Sequence, residues 1–478
     1  MSLPLGGPVS FARSGRRLAA STVVAALVAA PALAAEGAFT PGAPGIGDPY
    51  FSTMGNGGYD VEHYDVAVRY TLSTGRLAGR TAVTAQAKHG LSRFNLDLAL
   101  GARAVSVDGR PATYSQARRE LTVTPAVPIS AGRTFTVVVD YAGQPADVRV
   151  GGTSPWVSSE AEAMATNEPH IGPWWFAGND HPRDKATFDI SVTVPTGQQA
   201  ISNGDHLGVT SAPGWDTWSW RVVEPMTTYL AFFAAGRFEI ESGVAAGLPY
   251  FIAVSTALAP SNRTAAMNLM RRSPGVVRWL ETQLGDYPFT STGGVTTSLY
   301  AGFALENQTR PTYPFLGNGR YGRDTVVHEL AHQWFGDHVA VDRWRDIWLN
   351  EGFATWFEWR YAETHGGTRA QRALMSRYRG YGAGDPLWDL SIGNPGKKHL
   401  FAYAVYERGA MAVQALRHRI GTPAFKQLLR RWVSEQASGN GRVGEFKSLA
   451  EEVSGEQLDG FFDAWLATGR KPARTAAN

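Results

Sequence analysis

The sequence predicts an α+β multidomain chain in which an all-β part, residues 45–243, precedes a mixed, helix-rich part, residues 244–470. Two observations carry that division. Short runs of β-branched and aromatic residues, bounded by Gly, Pro and Asp, fill the first part without a helix-period segment of useful length. Beyond about residue 247, apolar residues recur every three to four positions over windows long enough for helices. A hydrophobic content of 44%, with 15 Trp, 17 Tyr and 22 Phe in 478 residues, can fill well-packed cores.

At the N-terminus, Arg13, Arg16 and Arg17 precede a small-residue apolar run from Leu18 to Ala34, and Ala32-Leu33-Ala34 offers an A-x-A cleavage site. Ser21, Thr22 and Pro31 interrupt the run, and its span of about seventeen residues is short for a permanent membrane anchor. The expectation is a cleaved signal peptide, residues 1–34, and a secreted mature protein without stable membrane anchoring. Arg16-Arg17 raises twin-arginine export, but the flanking residues fit Sec-type export better. Cysteine is absent, which excludes disulfides, thiolate metal ligands and cysteine nucleophiles together. A net charge of +3 and the lack of a long basic run argue against nucleic-acid binding.

Strands are expected around 64–70, 134–140 and 187–194, where β-branched and aromatic residues alternate or cluster. A helix is expected over 261–284 and another over 324–336, with Asp324 able to cap its start and Gly336 able to end it. An amphipathic helix over 346–365 stops at Gly366-Gly367, and several more are expected between 403 and 466.

The chemistry concentrates in two of these helices. His328, Glu329 and His332 stand in the order H-E-x-x-H, and Glu351 follows nineteen residues after His332. Histidines four apart on a helix are separated by only about 40° of rotation, so both rings reach one metal ion while Glu329 points beside it. With Glu351 from the next helix, the set His328, His332 and Glu351 would hold one zinc ion and leave a position open for water. The bland alternative is two core helices that happen to carry these residues. Asn350 and Asp337 are candidates for orienting the ligands.

The zinc motif with this glutamate spacing is shared by thermolysin-like endopeptidases and by the aminopeptidase N family of zinc metallopeptidases, and further segments resemble the second. Ala301-Gly-Phe-Ala-Leu-Glu-Asn-Gln308 is similar to the family's G-x-M-E-N segment, with Glu306 and Asn307 on its last two positions. Val405-Tyr-Glu-Arg-Gly-Ala410 resembles the segment that bears the family's catalytic tyrosine, which places that role on Tyr406. Asp180-His-Pro-Arg-Asp-Lys-Ala186 resembles its D-E-P-x-x-K-A segment, and Glu168, twelve residues earlier, occupies the position of a second substrate-binding acid. Phe303 replaces the first glycine of G-x-M-E-N, Leu305 its methionine, and His181 the second acid of D-E-P, to which no role is assigned.

The resemblance implies a saddle-like N-terminal β-domain packed on a thermolysin-like catalytic domain, in a short two-domain form with a more open cleft. It implies a zinc-dependent aminopeptidase that cuts the N-terminal peptide bond through a zinc-activated water, with Glu329 as general base and Tyr406 stabilising the transition state. Glu306 and Glu168 would hold the substrate's free ammonium group. The partners implied are peptides with a free N-terminus. A thermolysin-like endopeptidase and a catalytically retired peptide-binding relative are the competing readings.

Overall fold

The backbone of the β-rich half is dictated by period-two burial. In the strand Tyr59–Thr71, Tyr59 and Val61 face inward, a register shift follows between Val61 and His63, and Tyr64, Val66, Val68 and Tyr70 face inward beyond it. One extra residue at such a bulge moves the buried set from odd to even positions. The computed structural model describes residues 38–150 and 152–475; the expected leader, 1–34, lies outside them.

Tyr59–Thr71 sits inside an eight-stranded sheet. Its order is Asp205–Ala212, Trp215–Met226, Ala186–Pro195, Tyr59–Thr71, Arg76–Ala87, Thr134–Gly143, Gly101–Val107 and Arg110–Pro111. All neighbours are antiparallel except Ala186–Pro195 and Tyr59–Thr71, which run parallel. The three strands expected from sequence lie in this sheet. Two four-stranded sheets accompany it, and one of them pairs Ala163–Ala165 with Phe233–Gly236 a few residues before Glu168.

The second half begins with its own sheet, in the order Phe238–Ala245, Leu248–Ser255, Thr292–Thr296 and Thr312–Tyr313. The expected division at 243/244 therefore falls inside its first strand. Among the described residues nine helices follow in chain order: α1 (Pro260–Met270), α2 (Ser273–Leu284), α3 (Arg320–His332), α4 (Trp348–Thr364), α5 (Ala370–Gly380), α6 (Tyr403–Ile420), α7 (Thr422–Glu435), α8 (Val443–Ser454) and the short α9 (Asp459–Phe462). The single helix expected over 261–284 is two. Pro274 sits in the first turn of α2, where its missing N–H costs nothing, whereas one continuous helix would have placed the ring against the preceding turn. Likewise α3 starts at Arg320, so Asp324 is not its cap; Asp324 lies one turn in, paired with Arg320 at 3.2 Å. Among the described residues, no helix is long and apolar enough to cross a membrane.

Helix α4 is buried on all sides over its first ten residues, Trp348 to Phe357, because it lies between α3 and α6. Its contact with α6 depends on two glycines. A Cβ on Gly409 would fall 2.8 Å from the Cα of Gly352, and one on Gly352 would fall 3.1 Å from the backbone of Gly409. Arg408 then anchors α6 from within, donating to the carbonyls of Trp388 and Leu390, each at 2.9 Å, of Ala464 at 3.1 Å and of Thr468 at 2.7 Å.

The segment 180–186 pins the β-rich half to the end of α3. Lys185 Nζ donates to the carbonyls of Asp337 at 2.8 Å and His338 at 2.9 Å, just past the last turn. His181 is fully buried. Its Nδ1 accepts from the Arg183 amide at 3.1 Å, so Nε2 carries the proton donated to Asp48 at 3.2 Å. Asp48 also takes the amides of Tyr50, Phe51 and Trp344, and these bonds hold its carboxyl at about 2 against the opposing effect of burial. The histidine in place of an acid is thus a structural pin between the two halves.

Gly409→Ala should lower stability by roughly 1–3 kcal/mol, since the added methyl meets backbone and α4 must move. Denaturant titration checks this; an unchanged midpoint would show that the helices do not depend on the glycine contact.

Candidate active site

Helix periodicity sets His328 and His332 of α3 on one face, and α4 brings Glu351 against them. Glu351 Oε2 lies 3.3 Å from Nε2 of His328 and 3.4 Å from Nε2 of His332. Each histidine is held by its other nitrogen: Nδ1 of His328 lies 2.8 Å from Glu358 Oε1, and Nδ1 of His332 donates to the Phe335 carbonyl at 3.0 Å. The inward nitrogens are therefore the ones free to bind a metal.

The donors fit zinc. Tetrahedral ligands at zinc distances of about 2.0–2.1 Å stand roughly 3.3–3.4 Å apart, which is the spacing the two histidines keep from Glu351. The donor set is nitrogen and oxygen only, and the three ligand atoms lie within 4.8 Å of one another.

Glu329 is buried beside this set and pairs with no ligand; burial, offset by His328 and His332, pushes its carboxyl up to about 8. Tyr406, in the first turn of α6, stacks on His328 with ring centroids 6.1 Å apart. Burial and the nearby carboxylates, Glu351 first among them, hold its phenol well above its ordinary value.

Glu306 and Glu168 close one end of the same cavity. Glu306 is 2% exposed, and its Oε1 accepts from the Tyr229 hydroxyl at 3.0 Å. Oε1 of Glu168 is buried with no hydrogen-bond partner among the described residues. Burial and then the charge of Glu306 push the Glu168 carboxyl well up, so two acids compete for one pocket in the absence of a cation. All seven residues expected from sequence, Glu168, Glu306, His328, Glu329, His332, Glu351 and Tyr406, line one cavity of about 1030 Å³. Phe303 also lines it, with its ring partly exposed.

Three positioning groups escaped the sequence reading. Glu358 stands seven residues after Glu351, two turns along the same face of α4, a spacing that was visible. Gln333 directly follows the motif and ties α3 to the Glu306 segment: its Nε2 donates to the Glu306 carbonyl at 2.9 Å and its Oε1 accepts from the Thr309 amide at 2.8 Å. Tyr229 lies in a connection with no motif around it. Among the described residues, the side chains of the two orienters expected from sequence have no hydrogen bond to the ligands, although the Asp337 amide donates to the His332 carbonyl at 2.9 Å. Asp337 accepts from Gln333 at 2.7 Å, and the Asn350 amide nitrogen is buried without a hydrogen-bond partner among the described residues.

A helix-borne histidine pair, a glutamate from the next helix and an unliganded acid beside them define a zinc metallopeptidase centre. Comparison with known proteins narrows this. Residues 60–230 match the peptidase M1 N-terminal domain, and residues 311–465 match the peptidase family M1 domain. The M1 zinc metallopeptidase of Deinococcus radiodurans superimposes with a TM-score of 0.80 at 28% identity, over 90% of this chain and 99% of that one. A mutant of that protein has been solved with a Tyr-Ser-Ala substrate. Glutamyl aminopeptidase of Bitis rhinoceros is 26% identical over 63% of this chain, and aminopeptidase 2 of Candida albicans 22% identical over 84%. This chain spans only 34% and 46% of those two relatives. The chain belongs to peptidase family M1.

Glu358→Ala should weaken zinc affinity by about 10- to 100-fold, because His328 loses the partner that fixes its ring. Competition with a chromophoric chelator measures it, and an affinity equal to the parent protein would remove Glu358 from the site.

Proposed function

We propose that this protein is a zinc-dependent aminopeptidase that releases the N-terminal residue of peptides. The observation that carries the reading is the pair of buried acids beside the metal ligands: Glu168 with an unpartnered oxygen, and Glu306 held by Tyr229. An α-ammonium group placed between them would satisfy both charges, and such charge-assisted bonds are roughly twice as strong as neutral ones. An internal stretch of peptide brings only a neutral amide to that position. The structural likeness to a metallopeptidase solved with Tyr-Ser-Ala, and aminopeptidases among the relatives, support it.

Zinc bound by His328, His332 and Glu351 supplies Lewis acidity and makes water a usable nucleophile at neutral pH. With the metal's charge holding its carboxyl ionised, Glu329 beside the ligands would take the proton of the attacking water and pass it to the leaving amine. The Tyr406 hydroxyl, protonated at neutral pH because a phenol ionises near ~10, donates to the oxyanion that develops on the substrate carbonyl. Glu306 and Glu168 fix the amine, so the bond presented to Glu329 is the first one.

Export is part of the same proposal, supported by the arginines and apolar run of residues 1–34. N-terminal sequencing of protein from the culture medium should give a chain starting at Ala35; a retained leader would overturn it.

Glu329→Gln should keep zinc and lose activity by about 10²–10⁴-fold. Tyr406→Phe should lower kcat by roughly 10²–10³-fold, with KM little changed. Steady-state kinetics with metal analysis tests both, and full kcat in Tyr406→Phe would remove its role. Matched peptides with free and acetylated N-termini test the exopeptidase assignment directly: equal turnover of the two would mean an endopeptidase.

A further inference from the structure

The charged groups of the cavity fall in an order. Glu168 and Glu306 repel each other at the buried end, and Glu306 faces His332. His332 and His328 share Glu351, and His328 reaches Glu358 through its outer nitrogen. Glu358 in turn faces Glu407, whose partner is Arg377. Arg377 thus lines the same cavity as the two acids and the metal ligands, on the Glu358 side of His328.

Arg377 is built into that side. It projects from α5, and its Cζ lies 4.5 Å over the ring of Trp359, the residue after Glu358 on α4. Its Nε pairs with Glu407, the residue after Tyr406 on α6, and Glu407 is itself buried. Three helices therefore hold one guanidinium by its inner edge and its flat face. Among the described residues, neither terminal amino group has a hydrogen-bond partner, although Arg377 lines the cavity. A planar fork fixed in this way, with two free N–H groups on its outer edge, is suited to a carboxylate.

We propose that Arg377 receives a substrate carboxylate on the leaving-group side of the cut bond, which makes the protein selective for short peptides that carry a carboxylate just downstream of their N-terminal residue. This rests on the aminopeptidase reading above. A peptide whose ammonium lies at Glu306 and Glu168 runs its second residue past His328 toward Arg377. Each extended residue adds about 3.3–3.6 Å, and the proposal assigns to the guanidinium a carboxylate one or two residues downstream. It is either the free C-terminus of a di- or tripeptide or an acidic side chain following the cut.

The test compares kcat/KM for acid and amide members of matched pairs, in the parent protein and in Arg377→Gln. Leu-Gly against Leu-Gly-amide, and Leu-Gly-Gly against Leu-Gly-Gly-amide, read a C-terminal carboxylate. Leu-Asp-amide against Leu-Asn-amide reads a side-chain carboxylate. At least one pair should favour the acid by about tenfold in the parent protein, and that preference should fall to about one in Arg377→Gln, with partial recovery in Arg377→Lys. A merely structural link between α5 and α6 would lower both members of a pair alike and leave the ratio unmoved. A ratio near one in every pair, or a ratio that survives Arg377→Gln, overturns the proposal while the aminopeptidase reading stands. No turnover of any free-amine peptide removes that reading, and this proposal with it.

Discussion

The near-contact of two helix backbones at Gly352 and Gly409 is the constraint on which the rest of the site depends. With any side chain at either position, α4 and α6 could not come so close. Glu351 immediately precedes Gly352, and Tyr406 lies three residues before Gly409 on α6, so the crossing sets the third ligand and the phenol against the same histidines. Because α4 is buried between α3 and α6, its rotation is fixed as well. Glu351 and Glu358, seven residues apart and so on one face, then meet the inner and outer nitrogens of His328 together.

Such a site is costly to build. Five carboxylates (Glu168, Glu306, Glu329, Glu351 and Asp337) lie buried within range of one another, and removal from water opposes the charge of each. The fold offsets the cost with fixed donors rather than with solvent. Tyr229 serves Glu306, Gln333 and the Lys185 charge serve Asp337, and the two histidines serve Glu351. Donors already in place need not reorganise when a cationic ligand or metal arrives, which is the property a catalytic centre requires. Most of these donors come from elements far apart in sequence, and Tyr229 and Lys185 come from the β-rich half. That half is consequently part of the site, not an appendage to it.

What could be read from the sequence divides along the same line. Local periodicity placed the histidine pair on one face and pointed to strands at 64–70, 134–140 and 187–194, each inside a longer observed strand, because a strand or helix records its own repeat. The break between α1 and α2 was written in Pro274 but masked by apolar residues on both sides. Resemblance to the family's segments led to Glu306, Glu168 and Tyr406, and the structure brings all of them to one cavity. Asn350 and Asp337 are candidates that the sequence cannot tell from neighbouring polar groups; the groups that hold the histidines are Glu358, two turns along α4, and the Phe335 carbonyl. Tyr229 and the pairing of His181 with Asp48 were invisible, since each joins segments that no local pattern relates.

The order of charge along the cavity gives these contacts a common purpose. A metallopeptidase centre by itself polarises whichever carbonyl reaches it, so position along the peptide must be set elsewhere. On the proposed reading, the buried acids would fix a cationic end close to the ligands, since the ligand atoms of Glu306, Glu329 and His332 lie within 4.8 Å of one another. Burial first, and then the charge of Glu306, push the Glu168 carboxyl up; an ammonium would relieve both acids, whereas a neutral amide would not. On the proposed aminopeptidase reading, selectivity for the chain end would arise from the penalty on leaving the pocket empty of positive charge. The zinc centre needs no feature of its own to tell the first bond from the rest.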